Sequence, residues 1–217
     1  MLARASTARV YRCFFRDHIA QRWDDEPIHA LLKELQEPFA TMALMAVCLG
    51  LRVSEVLALK WSDVDWLGAR LSIQRGIVNG HVDTVKTQGS ARSFTLSPEL
   101  LDRLKTWKQR SEFTNTEDWV FASPYKIGRL PWCYTAVTRE LKRASTQAEI
   151  GHLGTHSFRH TYRSWLDAVG TTVAVQQKMM RHSDVRITMN VYGDIVADEM
   201  VTASAKIAQL ALYGNRA

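Results

Sequence analysis

Cysteine is sparse: Cys13, Cys48 and Cys133 are scattered through 217 residues, and no two form a CxxC pair. That distribution excludes a disulfide framework and a cysteine zinc site, and it suits a reducing cytosol. Long apolar runs are also lacking. The longest, Met42 to Leu51, is far too short to span a bilayer. No internal repeats and no low-complexity segments occur, and no HExxH motif marks a zinc hydrolase. Outside the N-terminus, the chain is short of net charge. The formal charge is +6 and the pI about 9.4. Residues 1–22 hold Arg4, Arg9, Arg12, Arg16 and Arg22 against Asp17 alone, so +4 of the +6 sits in that arm. Bulk charge therefore does not identify a polyanionic partner; only a local cluster of cations can.

What is present is ordinary globular composition, 46% hydrophobic and 23% charged, in a chain long enough for one domain with a real core. The opening "MLARASTARVYRCFF" is Arg-, Ser- and Ala-rich and free of acids, which mimics a mitochondrial transit peptide. A linker, or the stump of a preceding domain, is the plainer reading. From Pro27, Ile28, Leu31, Leu32 and Leu35 recur at helix spacing. "FATMALMAVCLG" is apolar on nearly every side and reads as a buried helix ended by Gly50. "RVSEVLALKW" follows as a short helix. Then the period changes. Leu71 and Ile73 alternate with polar residues, Asn79-Gly80 is a strong hairpin signal, "TQGSA" is a second turn, and a strand follows near Arg92–Leu96. This predicts a small antiparallel sheet of about three strands, of the meander type. Ser97 caps a return to helix, with candidates at 98–110, 131–147, 156–169, 173–181, 184–192 and 194–212. The expected fold class is mainly α (α+β): one helical domain with a small three-stranded antiparallel sheet.

Several side chains carry chemistry when combined. Arg52 begins a helix directly after a buried one, and its planar fork suits a phosphate oxyanion. Alone, it reads better as an Arg52–Glu55 ion pair at i, i+3, a solvated helix contact. In "GTHSFRHTY", Thr155 can cap a helix that carries His156, Arg159 and His160 within little more than a turn. His152, His156 and His160 are four apart, a spacing that could bind a metal. However, Arg159 would oppose a cation, no carboxylate completes the set, and Gly151 and Gly154 interrupt the helix. Satisfied core histidines are a second reading. A phosphate clamp, with Arg159 on the oxygens and His156 beside it, is a third. Lys86 lies at the turn between the second and third strands, where lysines are usually solvated but can also reach a DNA groove. His182 and Tyr192 lie ten residues apart in "RHSDVRITMNVYGD", and Tyr192 precedes Gly193 and a final helix.

In that order, "GLRVSEVLALKWSDVD", a lysine on a strand turn, "HSFRHTY" and "RHSDVRITMNVY" resemble the boxes of the tyrosine recombinases, the phage-integrase family. The match runs over about residues 25–212. The chain departs from the usual pattern at Met180-Arg181, at Arg163-Ser164 and at Gly193-Asp194. None of these removes a catalytic residue type.

The resemblance implies the DNA breaking-rejoining fold and a site-specific recombinase acting in DNA integration by mobile elements. It implies strand cleavage and rejoining through a 3′-phosphotyrosyl intermediate, with no metal and no other cofactor. Tyr192 would be the nucleophile, and Arg52 and Arg159 would stabilise the transition-state charge. Lys86 would be the general acid, His156 would assist deprotonation of Tyr192, and His182 would donate to a phosphate oxygen. Glu55 and His160 would support them. The implied partners are double-stranded DNA and further copies of the chain in a tetrameric synapse, with no membrane and no small-molecule substrate, in the cytoplasm. A type IB topoisomerase and a non-catalytic DNA-binding relic are the alternatives; the last helix argues against the first, and the presence of all six catalytic residue types against the second. The expected division is a basic arm or remnant of a linker or core-binding domain over 1–24 and the catalytic domain over 25–217. In that domain, a helix at about 194–212 would exchange between subunits, with docking on its own domain as the simpler alternative. Such a chain would be an isolated catalytic domain or a truncated member.

Overall fold

The computed structural model describes residues 25–84, 92–151, 153–180 and 193–214. Helix α1 (Asp25–Glu34) turns Ile28 and Leu31 inward and holds Pro27 in its first turn. Helix α2 (Phe39–Leu49) is the centre of the core, buried on all sides from Ala40 to Leu49. Its near-absence of polar residues is what makes a fully enclosed helix affordable, since its backbone groups are already paired within it. Gly50 stops it in the left-handed conformation, φ 59°, and its N–H caps the carbonyl of Ala46. Burial pushes the thiol of Cys48, on this helix, up from its ordinary pKa and keeps it protonated.

Helix α3 (Val53–Leu57) follows after a three-residue elbow, Gly50, Leu51 and Arg52. The strands come next: β1 (Val64–Asp65), β2 (Arg70–Ile73), β3 (Arg75–Val78), β4 (His81–Thr84) and β5 (Arg92–Thr95). They do not form the expected meander. β2 pairs with β1 and skips to β5, setting Leu71 opposite Phe94, while β3 and β4 form a separate two-stranded ribbon. The alternation explains the split. Leu71 and Ile73 pack into the core together with Phe94 and Leu96, whereas Val78 and Val82 on the ribbon are exposed. The ribbon's turn is the one the sequence signals: Asn79 and Gly80 both have positive φ, 51° and 80°. An ion pair anchors its base. Arg75 donates to both carboxylate oxygens of buried Asp63, at 2.8 and 3.1 Å, and Asp63 also accepts from the backbone N–H of Lys60.

Helices α4 (Pro98–Arg110), α5 (Tyr134–Gln147), α6 (Thr155–Ala168), α7 (Val173–Met180) and α8 (Gly193–Tyr213) complete the domain. Ser97 caps α4 as expected, its Oγ accepting from the N–H of Leu100. Thr155 does not cap α6; Gly154 occupies that position without a side-chain bond, and Thr155 is the first helical residue. The segment expected to open α5 at 131 is extended to Cys133, with Pro131 bridged to Ala122. The helix expected at 184–192 lies outside the described residues.

Helix α8 docks on its own domain, against α1, α2, α6 and α7. Ala203, Ser204, Ile207, Ala208 and Ala211 are its buried face, and His29 Nε2 donates to the carbonyl of Leu210 at 2.8 Å. The small residues let it approach closely, and among its described side chains Ile207 is the one large residue fully enclosed. Ile207→Ala is expected to lower stability by about 2–5 kcal/mol in urea unfolding, whereas Val201→Ala, on the exposed side, changes it by less than about 0.5 kcal/mol.

Candidate active site

The site is organised by the elbow between α2 and α3. Arg159, one turn into α6, is buried, and its Nη1 donates to the carbonyl of Gly50 at 2.6 Å. Three residues further along α6, the ring of Tyr162 packs against Gly50 closely enough that a Cβ there would collide with it. Both the left-handed φ and this contact require glycine at position 50. Two residues on, Arg52 is the N-cap of α3. Its backbone N–H donates to Glu55 Oε2 at 2.7 Å, and its Nη1 lies 3.2 Å from Glu55 Oε1. The plain i, i+3 ion pair is therefore real, and it leaves the Arg52 side chain about half exposed, 46%. Glu55 acts twice, capping the helix and orienting the guanidinium.

Arg52 and His156 line one groove of about 760 Å³. Its walls are the start of α3, the β3–β4 ribbon, the segment around Tyr125–Trp132, and the N-terminal turns of α5 and α6. His156 and His160 lie on the exposed side of α6, one turn apart, but His160 does not line the groove. Partial desolvation holds the His160 pKa below its ordinary value, and the charges of His156, Arg163 and Arg159 add to that effect. Lys86, His182 and Tyr192, and His152 of the metal alternative, lie outside the described residues. Thr84, the last residue of β4, pairs with Arg75 two positions before Lys86, and α8 begins at Gly193, directly after Tyr192. Among the described residues, no three His, Cys, Asp or Glu side chains gather into a cation site, and no helix is long and apolar enough to cross a membrane.

Sequence reasoning missed the groove's far wall: Tyr125, Lys126, Tyr134 and Arg139. Scattered over fifteen residues of loop and helix, they carry no local pattern. Asp63 was equally silent, an ordinary acid in "WSDVD" until Arg75 meets it in space.

The family model described as "Phage integrase family" matches residues 21–198. The chain belongs to this family. Curated relatives of the chain include the ICEBs1 integrase of Bacillus subtilis (strain 168), 25% identical over 189 residues that cover 83% of this chain and 51% of the relative. Another is a tyrosine recombinase XerC-like protein of Caldanaerobacter subterraneus subsp. tengcongensis, 24% identical, covering 84% and 52%. The chain thus spans about half the length of these relatives. Among solved structures, the integrase from mycobacterium phage Brujita superposes with a TM-score of 0.61 at 18% identity, covering 85% of this chain and 57% of that one. The Tn1549 transposon integrase in complex with circular intermediate DNA gives 0.59 at 18%, covering 79% and 63%. These likenesses show a shared fold, that of tyrosine recombinase catalytic domains, mainly α with a small antiparallel sheet, as the sequence led one to expect.

The lowered pKa of His160 favours its neutral ring in the folded domain. Its contribution to stability is intact above the unperturbed value of 6.5 and is lost as pH falls through the lower folded value. An NMR titration should place the His160 midpoint below 6.5, and His156→Gln should move it back upward by removing a neighbouring charge.

Proposed function

We propose that this chain is the catalytic domain of a site-specific DNA recombinase that cleaves and rejoins double-stranded DNA through a 3′-phosphotyrosyl intermediate. The observation that carries this reading is the shared elbow. Arg159 is bonded to Gly50, while Arg52 projects from the next helix two residues later and lines one groove with His156. Two guanidinium groups tied to one short segment make a preorganised clamp for a phosphate whose negative charge grows in the transition state.

In this reading the Tyr192 oxygen attacks the backbone phosphorus, and the bond from phosphorus to the 5′-oxygen breaks. The phenolic proton passes to His156, and Lys86 protonates the departing 5′-oxygen. A free tyrosine pKa near 10 makes the assistance of His156 necessary at neutral pH. His182 donates to a phosphate oxygen, and Glu55 holds Arg52 in place. The phosphotyrosyl bond preserves the energy of the phosphodiester, so the 5′-hydroxyl of another strand reverses the step without ATP. The names of the relatives, integrase and tyrosine recombinase, and the Tn1549 integrase solved on DNA support the choice of DNA strands as substrate. Assembly as a tetramer on paired sites is part of the proposal, and it requires α8 to leave the face it covers in the monomer.

Incubation with a nicked suicide duplex should give an SDS-stable protein–DNA adduct, and Tyr192→Phe should abolish it. An adduct that survives this substitution would place the nucleophile elsewhere. A substrate with sulfur in the 5′ bridging position needs little protonation of its leaving group. Lys86→Ala should therefore cleave that substrate far better than the normal one; equal impairment on both would reduce Lys86 to a phosphate contact.

A further inference from the structure

The groove beside Arg52 and His156 is larger and differently lined than a phosphate clamp requires. At about 760 Å³ it is in the range of pockets that enclose a drug-sized molecule, whereas a clamp needs only a few converging donors. Its cations, Arg52, Lys126 and Arg139, stand on three different segments, and none of the described side chains lining it is acidic. A concave surface with cations on several sides and no carboxylate favours a polyanion. Its remaining walls are mostly apolar and aromatic, with Ser54, Asn79, Ser123, Thr135 and Thr155 among them. Tyr125 is 81% exposed and Tyr134 54% exposed, and Val78 and Val82 of the β3–β4 ribbon face the same space. Tyr125 and Trp132 meet edge to face, ring centroids 5.6 Å apart at 86°, and Trp132 packs in turn on Phe39 at the head of α2. The ring is therefore braced from behind by the core while most of its surface meets solvent.

We infer that this groove binds unpaired nucleotides of the cleaved strand, with their bases stacking on Tyr125 and Tyr134 and their phosphates meeting Arg139 and Lys126. Paired DNA cannot use these rings, because the duplex hides the faces of its bases in its own stack. Only an unstacked base offers a flat apolar face, and base-on-aromatic stacking tolerates any sequence. The inference rests on the recombinase reading, which supplies such bases. After cleavage, the strand bearing the free 5′-hydroxyl must separate from its complement to reach a new partner. Unpaired nucleotides then arise next to the scissile phosphate, where Arg52 and His156 open into the groove. A place to hold them lowers the cost of strand separation and keeps the hydroxyl from simply returning.

The test uses the full 217-residue chain and two fluorescein-labelled probes of equal length and charge, an oligothymidylate and an abasic strand, at one salt concentration in fluorescence anisotropy. The abasic strand keeps every phosphate and removes every base. The chain should bind the oligothymidylate roughly tenfold more tightly. Tyr125→Ala with Tyr134→Ala should abolish that preference while leaving affinity for the abasic strand unchanged. Phenylalanine at both positions should retain it, since stacking needs the ring and not the hydroxyl. Tyr134→Ala alone should reduce the preference in part, and Arg139→Gln should weaken both probes alike. Equal binding of the two probes by the unaltered chain would overturn the inference and leave the groove as an electrostatic surface or a protein-docking face. Preference that survives the double alanine variant, with an unchanged melting temperature, would also overturn it. No step of this measurement involves cleavage, so its failure is distinguishable from failure to form a covalent adduct.

Discussion

A buried arginine needs a partner, and here a backbone carbonyl is one. Arg159 donates to the oxygen of Gly50, at the point where the most enclosed helix of the domain ends. Leaving a guanidinium in the interior without such a bond costs several kcal/mol, roughly, so the contact fixes the position of α6 relative to the elbow. The elbow in turn exists because Gly50 can take a left-handed conformation and because no side chain there obstructs the ring of Tyr162. From this one junction the approach of α6 to α2, the direction of α3, and the exposed reach of Arg52 all follow. In the proposed mechanism, the same bond that stabilises the core is what sets the distance between the two halves of the phosphate clamp.

The ion pair of Asp63 and Arg75 has a similar double place. Asp63 is almost fully enclosed, and desolvation draws its pKa upward against the opposing effects of the Lys60 N–H and of Arg75. Its two bonds to Arg75 pin the first residue of β3, whose cross-strand neighbour is Thr84. Under the recombinase reading, the chain then needs only two more residues to reach Lys86. The ribbon above that anchor packs on α3 but shows Val78 and Val82 to solvent, so it is held at its base and lightly covered at its tip.

The last helix sets core packing against assembly. Ile207 and the alanines beside it close the domain's surface over α2 and α6, and the same helix begins one residue after Tyr192. A helix so placed cannot move far without affecting both. In a synapse that shared it between subunits, the apolar face exposed on one protomer would be covered by the equivalent helix of another, and the position of the proposed nucleophile would report on the neighbour.

Local pattern was enough for the elements and for the family. Helical spacing marked α1, the apolar run marked α2 and its glycine stop, Asn79-Gly80 marked the ribbon turn, and Ser97 marked the start of α4, because each depends on residues within one turn or one hairpin. The ordered boxes that carry the family resemblance were legible for the same reason: each is a short segment whose residues are read together. Strand partners were not legible. β2 passes over the ribbon to reach β5, a choice made by which apolar faces meet across about twenty residues, and no local period records it. The cap expected at Thr155 failed because Gly154 reached the extended N-cap geometry first. Only the tertiary structure joined Arg159 to Gly50 and Asp63 to Arg75, and only it gathered Tyr125, Tyr134 and Arg139 around one groove. Contacts between distant residues depend on how whole faces bury one another, and a linear pattern carries no trace of that until the chain has closed on itself.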